Sequence, residues 1–397
     1  MVRLTRAEQQ HRTRHKVLDA AKAEFTERGF RGATVDGIAE RAELTRGAVY
    51  SNFPGKRALY LAVLAREADH APMPSGHRSA RTPAAALEAF AGVWTQQIPH
   101  TTGYERRGST ALRSPALGVD LLPEIMTDER LRGTFTQLLR LDAILLGQAL
   151  ESLGGKGSPP LSDHIDIAES ALTILYGATQ LAFAAPEFIN AAQVTSLCGQ
   201  VAKHDRRRSA VPRDPLRHSA AYYVDERWKP PACTDLVRAR PARFDRRSIT
   251  AILGTHKLAA VADALAIAPR DTGVTVAIVT ADIDELAPLA RLAVLDVSRS
   301  LRHAFPSAAL SRLQVIVDES AALAAACGVA SVDDDTEAAV VTTRGRVIAR
   351  AEGPGGCCAA AVAAGRSVDG VAPSDDSGVA TRLPLRAGRR RNRLVAE

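Results

Sequence analysis

Several things are scarce in this sequence, and each shortage excludes something. No apolar run approaches the roughly 18 uncharged residues of a bilayer-spanning helix, so no membrane span is expected. The N-terminal stretch carries Arg3, Arg6, Arg12, Arg14 and Lys16 with no apolar core and no cleavage pattern. No secretory signal is expected there, and the expected location is the cytoplasm. Only five cysteines occur (Cys198, Cys233, Cys327, Cys357 and Cys358), too few and too irregular for a disulfide framework, which fits a reducing compartment. No Cys-x-x-Cys pair exists, and His100 and His164 lack neighbours at metal-ligand spacing. Neither a catalytic site, a metal nor another cofactor is expected.

What is present is an ordinary globular composition, 46% hydrophobic and 24% charged over 397 residues, enough for two to three domains. The formal net charge of +7 is unevenly spread. Two mildly acidic bodies, 73–205 and 248–381, are separated and flanked by basic stretches. The most basic are the waist 206–247 and the tail 382–397 with its run Arg389-Arg390-Arg391-Asn392-Arg393. A polyanionic partner fits this distribution, although charge alone does not identify it.

The first 70 residues read as four short helices. Val17, Leu18, Ala21 and Phe25 recur at helical spacing from about Arg14, with Gly29 as the stop. Thr34 caps a second helix bearing Val35, Ile38, Ala39 and Ala42; Glu43-Leu44 turns the chain; and Thr45 caps a third helix through Phe53. Pro54-Gly55 ends it, and a fourth helix runs from Lys56. Residues 83–205 read as helices near 84–98, 128–153, 163–184 and 190–203, with no strand signal. Residues 206–247 hold Arg206-Arg207-Arg208 and five prolines, the pattern of an extended basic linker. From Arg247 strands and helices alternate in the order β-α-β-α-β-α-β-β-α, with a hairpin turning at Arg344-Gly345, which predicts a three-layer α/β domain.

The segment Thr34–Phe53 has the anatomy of a helix-turn-helix. Ala39 is small where two helices must approach, Leu44 plugs the turn, and Ala42, Ala48 and Val49 fill the interface. The remaining positions of the second helix, Thr45, Arg46, Gly47, Tyr50, Ser51 and Asn52, are small or hydrogen-bonding. Such a face suits a major groove about 12 Å wide, where Arg46 would pair with guanine and Thr45 and Ser51 would meet bases or phosphates. The helix starts at Thr34 and Lys56 offer free N–H groups to phosphate, with a hydroxyl from Thr34 and a charge from Lys56.

Residues 12–64, RTRHKVLDAAKAEFTERGFRGATVDGIAERAELTRGAVYSNFPGKRALYLAVL, resemble the DNA-binding domain of the TetR/AcrR family of bacterial repressors. The likeness rests on Phe25 before Arg28-Gly29-Phe30, the Thr34 cap, Ile38-Ala39, Ala42, Gly47-Ala48-Val49-Tyr50, Asn52-Phe53, Lys56 and Leu59. It implies a DNA-binding domain over 10–70 and a helical ligand-binding and dimerisation domain over 77–205. It also implies a homodimer on a palindromic double-stranded operator, and release by a small-molecule effector of unspecified identity. The dimer contact is expected on 163–184 and 190–203, with Ala171, Leu175 and Ala178 on its small apolar face. Phe90, Trp94, Tyr104, Phe135 and Tyr176 are candidate pocket-lining aromatics.

Residues 247–365 resemble the thioredoxin-like fold and, within it, peroxiredoxins, through SITAILGTHKLAAVADAL, TGVTVAIVTAD, LQVIVDESAALAAACGVA and the hairpin AAVVTTRGRVIARAEG. An enzyme of that fold holds a low-pKa thiolate at the start of the helix after the first core strand. Here that place reads Gly254-Thr255-His256-Lys257, so no catalytic residue is assigned and no enzyme is expected. The expectation is therefore an all-α TetR-like N-terminal part followed by an α/β three-layer thioredoxin-like domain. A basic proline-rich linker over 206–246 joins them, and 366–397 forms a disordered basic tail. The alternatives are a redox-responsive regulator switched by Cys233 or Cys357-Cys358, and a thiol oxidoreductase with a DNA-binding appendage.

Overall fold

The computed structural model describes residues 5–72, 80–98, 121–155, 158–203, 219–244 and 246–366. The expectations for His100, Tyr104, the Arg206–Arg208 run and the tail beyond Arg366 lie outside these residues.

Four helices open the chain: α1 (Arg6–Gly32), α2 (Val35–Arg41), α3 (Arg46–Tyr50) and α4 (Lys56–His70). α1 begins well before Arg14 because Thr5 and Glu8 form a capping box, each side chain serving the other's backbone N–H. Gly29, at φ 67°, breaks α1 one turn before its end. Thr34 accepts from the Gly37 N–H at 3.0 Å and Thr45 from the Ala48 N–H at 3.2 Å, as the capping pattern predicts. α3 stops at Tyr50 rather than Phe53.

The second helical body comprises α5 (Pro83–Thr95), α6 (Leu122–Thr127), α7 (Glu129–Leu153), α8 (Leu161–Ala184) and α9 (Ala191–Val201). Thr82, Asp128 and Asn190 cap α5, α7 and α9. Of the candidate pocket aromatics, Phe90, Trp94, Phe135 and Tyr176 stack in one cluster with ring centroids 5.1–6.2 Å apart. The Trp94 indole donates to Thr179 at 3.1 Å. Ala171, Leu175 and Ala178, expected on a dimer face, are instead buried in this body's own core, because that side of α8 packs on its neighbours.

Downstream lies a six-stranded mixed sheet, ordered β1-β8-β7-β4-β5-β6. Its strands are β1 (Tyr222–Arg227), β4 (Ser248–Gly254), β5 (Gly273–Val279), β6 (Leu313–Val317), β7 (Glu337–Thr343) and β8 (Arg346–Glu352). β4, β5 and β6 run parallel, and β7, β8 and β1 continue antiparallel from β4. Strand β1 corrects an expectation, since its residues fall in the stretch read as extended linker. Its outer position explains the mismatch: charged residues suit an exposed edge, and Asp225 and Glu226 pair with Arg346 and Arg350 of β8. A short hairpin of β2 (Thr234–Asp235) and β3 (Arg240–Pro241) covers the opposite edge.

The expected three layers are uneven. α10 (Val261–Ile267), α11 (Leu286–Ala304) and α13 (Gly356–Arg366) share one core with Ile249, Val276 and Val315 of the sheet. The other face, with Ile252, Val279 and Val340, is covered by Trp228, Phe244, Cys233, Ala242, Val329, Val332 and the short α12 (Ala322–Ala326).

Helix α11 joins the two halves of the chain. It buries 14 of its 19 residues, and a helix apolar on nearly all sides must be enclosed. One side rests on β5 and β6, the other on α4, α5 and α7. Ion pairs frame its start. Arg57 of α4 reaches Glu285 at 2.6 Å and Asp128 at 3.2 Å, while Arg130 of α7 reaches Asp282 at 2.9 Å and Asp334 at 2.8 Å. Although burial opposes it, hydrogen bonds from Thr280, Arg130 and Thr255 draw the Asp334 carboxyl below its ordinary value.

Asp142 of α7 is buried, and its Oδ1 has no hydrogen-bond partner among the described residues. Burial, then the nearby Asp296 of α11, pushes its carboxyl well above the ordinary value. Its stabilising contribution is therefore complete below about pH 4 and is lost as pH rises through the folded value. Asp142→Asn is expected to raise the melting temperature at pH 8 by roughly 2–4 °C, with the difference fading toward pH 4. Thermal melts of both proteins across that range check this, and an unchanged or lower melting temperature at pH 8 contradicts it.

Candidate nucleic-acid interface

The candidate interface is built from α2 and α3. Glu43, at φ 50°, makes the sharp turn between them, and Leu44 N–H donates to the Ala39 carbonyl at 3.0 Å. Ala39, Ala42 and Val49 are buried, and Leu44 packs against them, as the sequence predicts for a helix-turn-helix interface. This packing turns Thr45, Arg46, Gly47, Tyr50 and Ser51 outward, all exposed on one short helix. Tyr50 is 40% exposed.

The side chains on that face are poised to different degrees. The Arg46 guanidinium lies 3.4 Å from the Tyr50 hydroxyl, 3.5 Å from Asp36 of α2 and 5.5 Å from the Tyr50 ring centre. It is held over the face by exposed partners that a base or phosphate can displace. Ser51 Oγ and Asn52 Nδ2 donate to the Ala48 carbonyl at 2.9 and 2.8 Å, so both close the end of α3. Thr34 stands exposed at the start of α2. Lys56 is only partly exposed; its ammonium lies 3.3 and 3.4 Å from the Ala33 and Arg31 carbonyls and 4.8 Å from the Phe30 ring.

Two supports went unnoticed in the sequence. Arg14 donates to the Asn52 carbonyl at 2.7 Å and lies over the Phe53 ring, fastening α1 to the end of the reading helix. The Thr5-x-x-Glu8 capping pattern, which starts α1 early, was the available signal. Glu24, fully buried in α1, receives the Arg41 guanidinium of α2 at 2.6 Å. Asp284, from the loop before α11, shares a concavity of about 300 Å³ with Arg14 and Tyr50–Pro54, placing the α/β body beside the reading head.

No thiol sits where the fold resemblance would need one. Thr255 is buried and donates to Asp334 at 3.0 Å, while His256 and Lys257 lie 3.6 and 3.5 Å from Asp335. Burial pushes the Cys198 and Cys327 thiols up to about 12, and it raises Cys233 and Cys357 as well. Those are conditions of inert rather than nucleophilic sulfur.

Residues 17–63 match the family described as bacterial regulatory proteins, tetR family. The HTH-type transcriptional regulator SrpR of Pseudomonas putida is 48% identical over 65 residues, covering 16% of this chain and 30% of that protein. The HTH-type transcriptional activator FasR of Mycolicibacterium smegmatis is 41% identical over 85 residues, covering 19% of this chain and 38% of that protein. The chain thus spans less than half the length of these curated relatives. The crystal structure of a TetR transcriptional regulator from Rhodococcus sp. RHA1 aligns at 17% identity with a TM-score of 0.29, covering 49% of this chain and 95% of that one.

Gly37 tests the local packing. A Cβ there would lie 2.6 Å from Glu24 Oε1 and 3.2 Å from Thr34 Oγ1, and Arg41 holds Glu24 in place. Gly37→Ala is expected to cost about 1–3 kcal/mol of stability. Denaturant unfolding measures it, and a neutral result would contradict the tight α1–α2 contact. The packing and the family match agree: residues 17–63 are a helix-turn-helix domain of the tetR family of bacterial regulatory proteins.

Proposed function

We propose that this chain is a sequence-specific transcriptional regulator, acting as a ligand-responsive homodimeric repressor that binds a palindromic operator through residues 45–53. The observation that carries the reading is the outward face of α3. There Thr45, Arg46, Tyr50 and Ser51 stand exposed around Gly47, on a helix whose other side is locked into the domain core. Arg46 and Tyr50 supply donors for base edges and phosphates, and Gly47 lets the backbone approach them. Lys56, Thr34 and Asn52 act in this reading at the margin, positioning helix ends against the phosphate backbone.

A homodimer is supported by the outer surface of the second helical body. Leu181, Phe188 and Leu197 are large apolar side chains, 44%, 75% and 48% exposed, on the adjacent segments α8, 186–188 and α9. Joining two copies there would set two reading helices about one duplex turn apart. The effector acts by binding the released conformation more tightly than the DNA-bound one, since equal affinity would shift nothing. For the α/β body we favour a thioredoxin-like module without thiol catalysis. Its sheet order, the parallel β4–β5 pair and the antiparallel β4–β7–β8 continuation support the fold, and the burial of Cys327, Cys357 and Cys358 supports the lack of thiol catalysis.

Two experiments test the reading. Arg46→Ala/Tyr50→Ala removes two exposed side chains and is expected to weaken binding to a duplex from upstream of the gene at least tenfold at about 150 mM salt, with an unchanged melting temperature. Equal, weak binding by both proteins would overturn operator reading by α3. Phe188→Glu/Leu197→Glu is expected to convert dimers into monomers in analytical ultracentrifugation. Dimers that persist unchanged would move the interface elsewhere.

A further inference from the structure

The arginine-rich end of the α/β body has no part in the reading above. Its geometry starts with the β2–β3 hairpin, laid across the edge of β6. Leu236 N–H donates to the Val315 carbonyl at 2.9 Å, and Val315 N–H donates to Asp235 at 3.3 Å. Gln314 then pins the chain after β3: it accepts the Arg243 N–H at 3.2 Å and donates to the Arg243 carbonyl at 2.8 Å and to Thr275 at 2.7 Å. Arg302, at the end of α11, donates to the Leu236 and Val237 carbonyls at 3.1 and 3.3 Å. The rim so formed holds Arg238, Arg240 and Arg243 over the N-terminal ends of the parallel strands, where Arg247, Arg270 and Arg312 also stand. With Arg246 they line a cleft of about 290 Å³, in which Asp271 is the one acid among the described residues.

Counter-charge from the protein is incomplete. Asp235 engages Arg238 at 2.5 Å, and Glu151 is shared by Arg270 at 3.3 Å and Arg312 at 3.9 Å. Arg247 donates to the Ala364 carbonyl. No ion pair engages Arg240, Arg243 or Arg246 among the described residues. Independently of the charge, the cleft contains buried polar atoms with no hydrogen-bond partner: Nε of Arg240, Nε of Arg312 and the hydroxyl of Thr272, a residue with no exposed surface. A fixed site that keeps donors out of water without an acceptor is one an incoming acceptor completes. Burial, and then the neighbouring Arg238 and Arg243, also lowers the Arg240 guanidinium from its ordinary value, a repulsion that an anion would relieve.

We propose that this cleft binds the oligophosphate group of a small ligand, carried by a nucleotide or present as inorganic polyphosphate. Several planar guanidinium groups converging on one concave volume suit the several oxygens of a di- or triphosphate better than a lone carboxylate. The cleft is distinct from the operator-reading surface. It lies at the N-terminal ends of β4, β5 and β6, whereas the Arg57–Glu285 contact to the helix-turn-helix lies beyond their C-terminal ends, roughly 20 Å away along the strands. Its volume also suits a small molecule rather than a duplex.

The test is isothermal titration calorimetry of the full chain with tripolyphosphate, ATP and a duplex, at a constant ionic strength of about 150 mM. One tripolyphosphate site per chain is expected, weakened about tenfold by Arg240→Gln/Arg243→Gln and severalfold by Thr272→Val, and unchanged by Arg46→Ala/Tyr50→Ala. Thr272→Val removes an unpartnered hydroxyl at nearly constant shape, so its melting temperature should be equal or higher, and it keeps the test valid if the arginine variant folds poorly. ATP binding tighter than tripolyphosphate would assign a nucleotide, and equal or weaker binding would assign polyphosphate itself. Absence of binding, affinity unaltered in both cleft variants, loss of binding in the Arg46/Tyr50 variant, or binding of the duplex alone would each overturn the proposal.

Discussion

Helix α11 has to be enclosed on two sides, and the rest of the structure is arranged around that requirement. Its leucines and valines cannot all face the sheet, because a helix presents only one stripe to a flat surface. The surplus apolar side is met by α4, α5 and α7, so the α/β body and the helical bodies share one core. Each buried Leu or Val on that helix is worth about 1.5–3 kcal/mol against exposure, far more than the ion pairs at its start. Burial thus holds the halves together, and Arg57 and Arg130 set their register.

The helix-turn-helix is tied to that core through α4. α4 carries Arg57 at its first turn, close behind α3, and lies along α11 for its whole length: Arg57 meets Glu285 at one end, and Arg299 donates to the Pro72 carbonyl at 2.7 Å near the other. A shift of the helix-turn-helix that drags α4 must move α11 or break those contacts. The α/β body and α3 are thus connected through the contacts of α4 with α11. The Arg302 bonds to the hairpin extend the same connected framework to the arginine cleft.

Much of this was legible in the sequence. Capping residues marked the starts of α2 and α3, Pro54-Gly55 marked that of α4, and apolar spacing marked α7, α8 and the strands from Ser248 onward, because those signals are local. The helix-turn-helix interface of Ala39, Leu44 and Val49 was legible for the same reason. Strand β1 was not, since its charged residues and the surrounding prolines read as a linker until β8 supplied Arg346 and Arg350 as partners. The buried faces of Ala171, Leu175 and Ala178 were assigned outward, because periodicity shows that a helix has an apolar side but not what meets it. The contacts of Lys56 to the Arg31 and Ala33 carbonyls were not legible either, because they arise only when α1 packs on α4. The charge of the waist was plain. The cleft was not, because it needs the hairpin, β5 and β6 together.

Native-state hydrogen exchange on α4 and α11 tests the shared core directly. If the two helices share one core, their slowest amides should open together, with equal protection that falls in parallel as denaturant is raised. If α11 or the sheet exchanges through its own opening, orders of magnitude faster than α4, the halves are separate units, and the mechanical link between the α/β body and the reading head is contradicted.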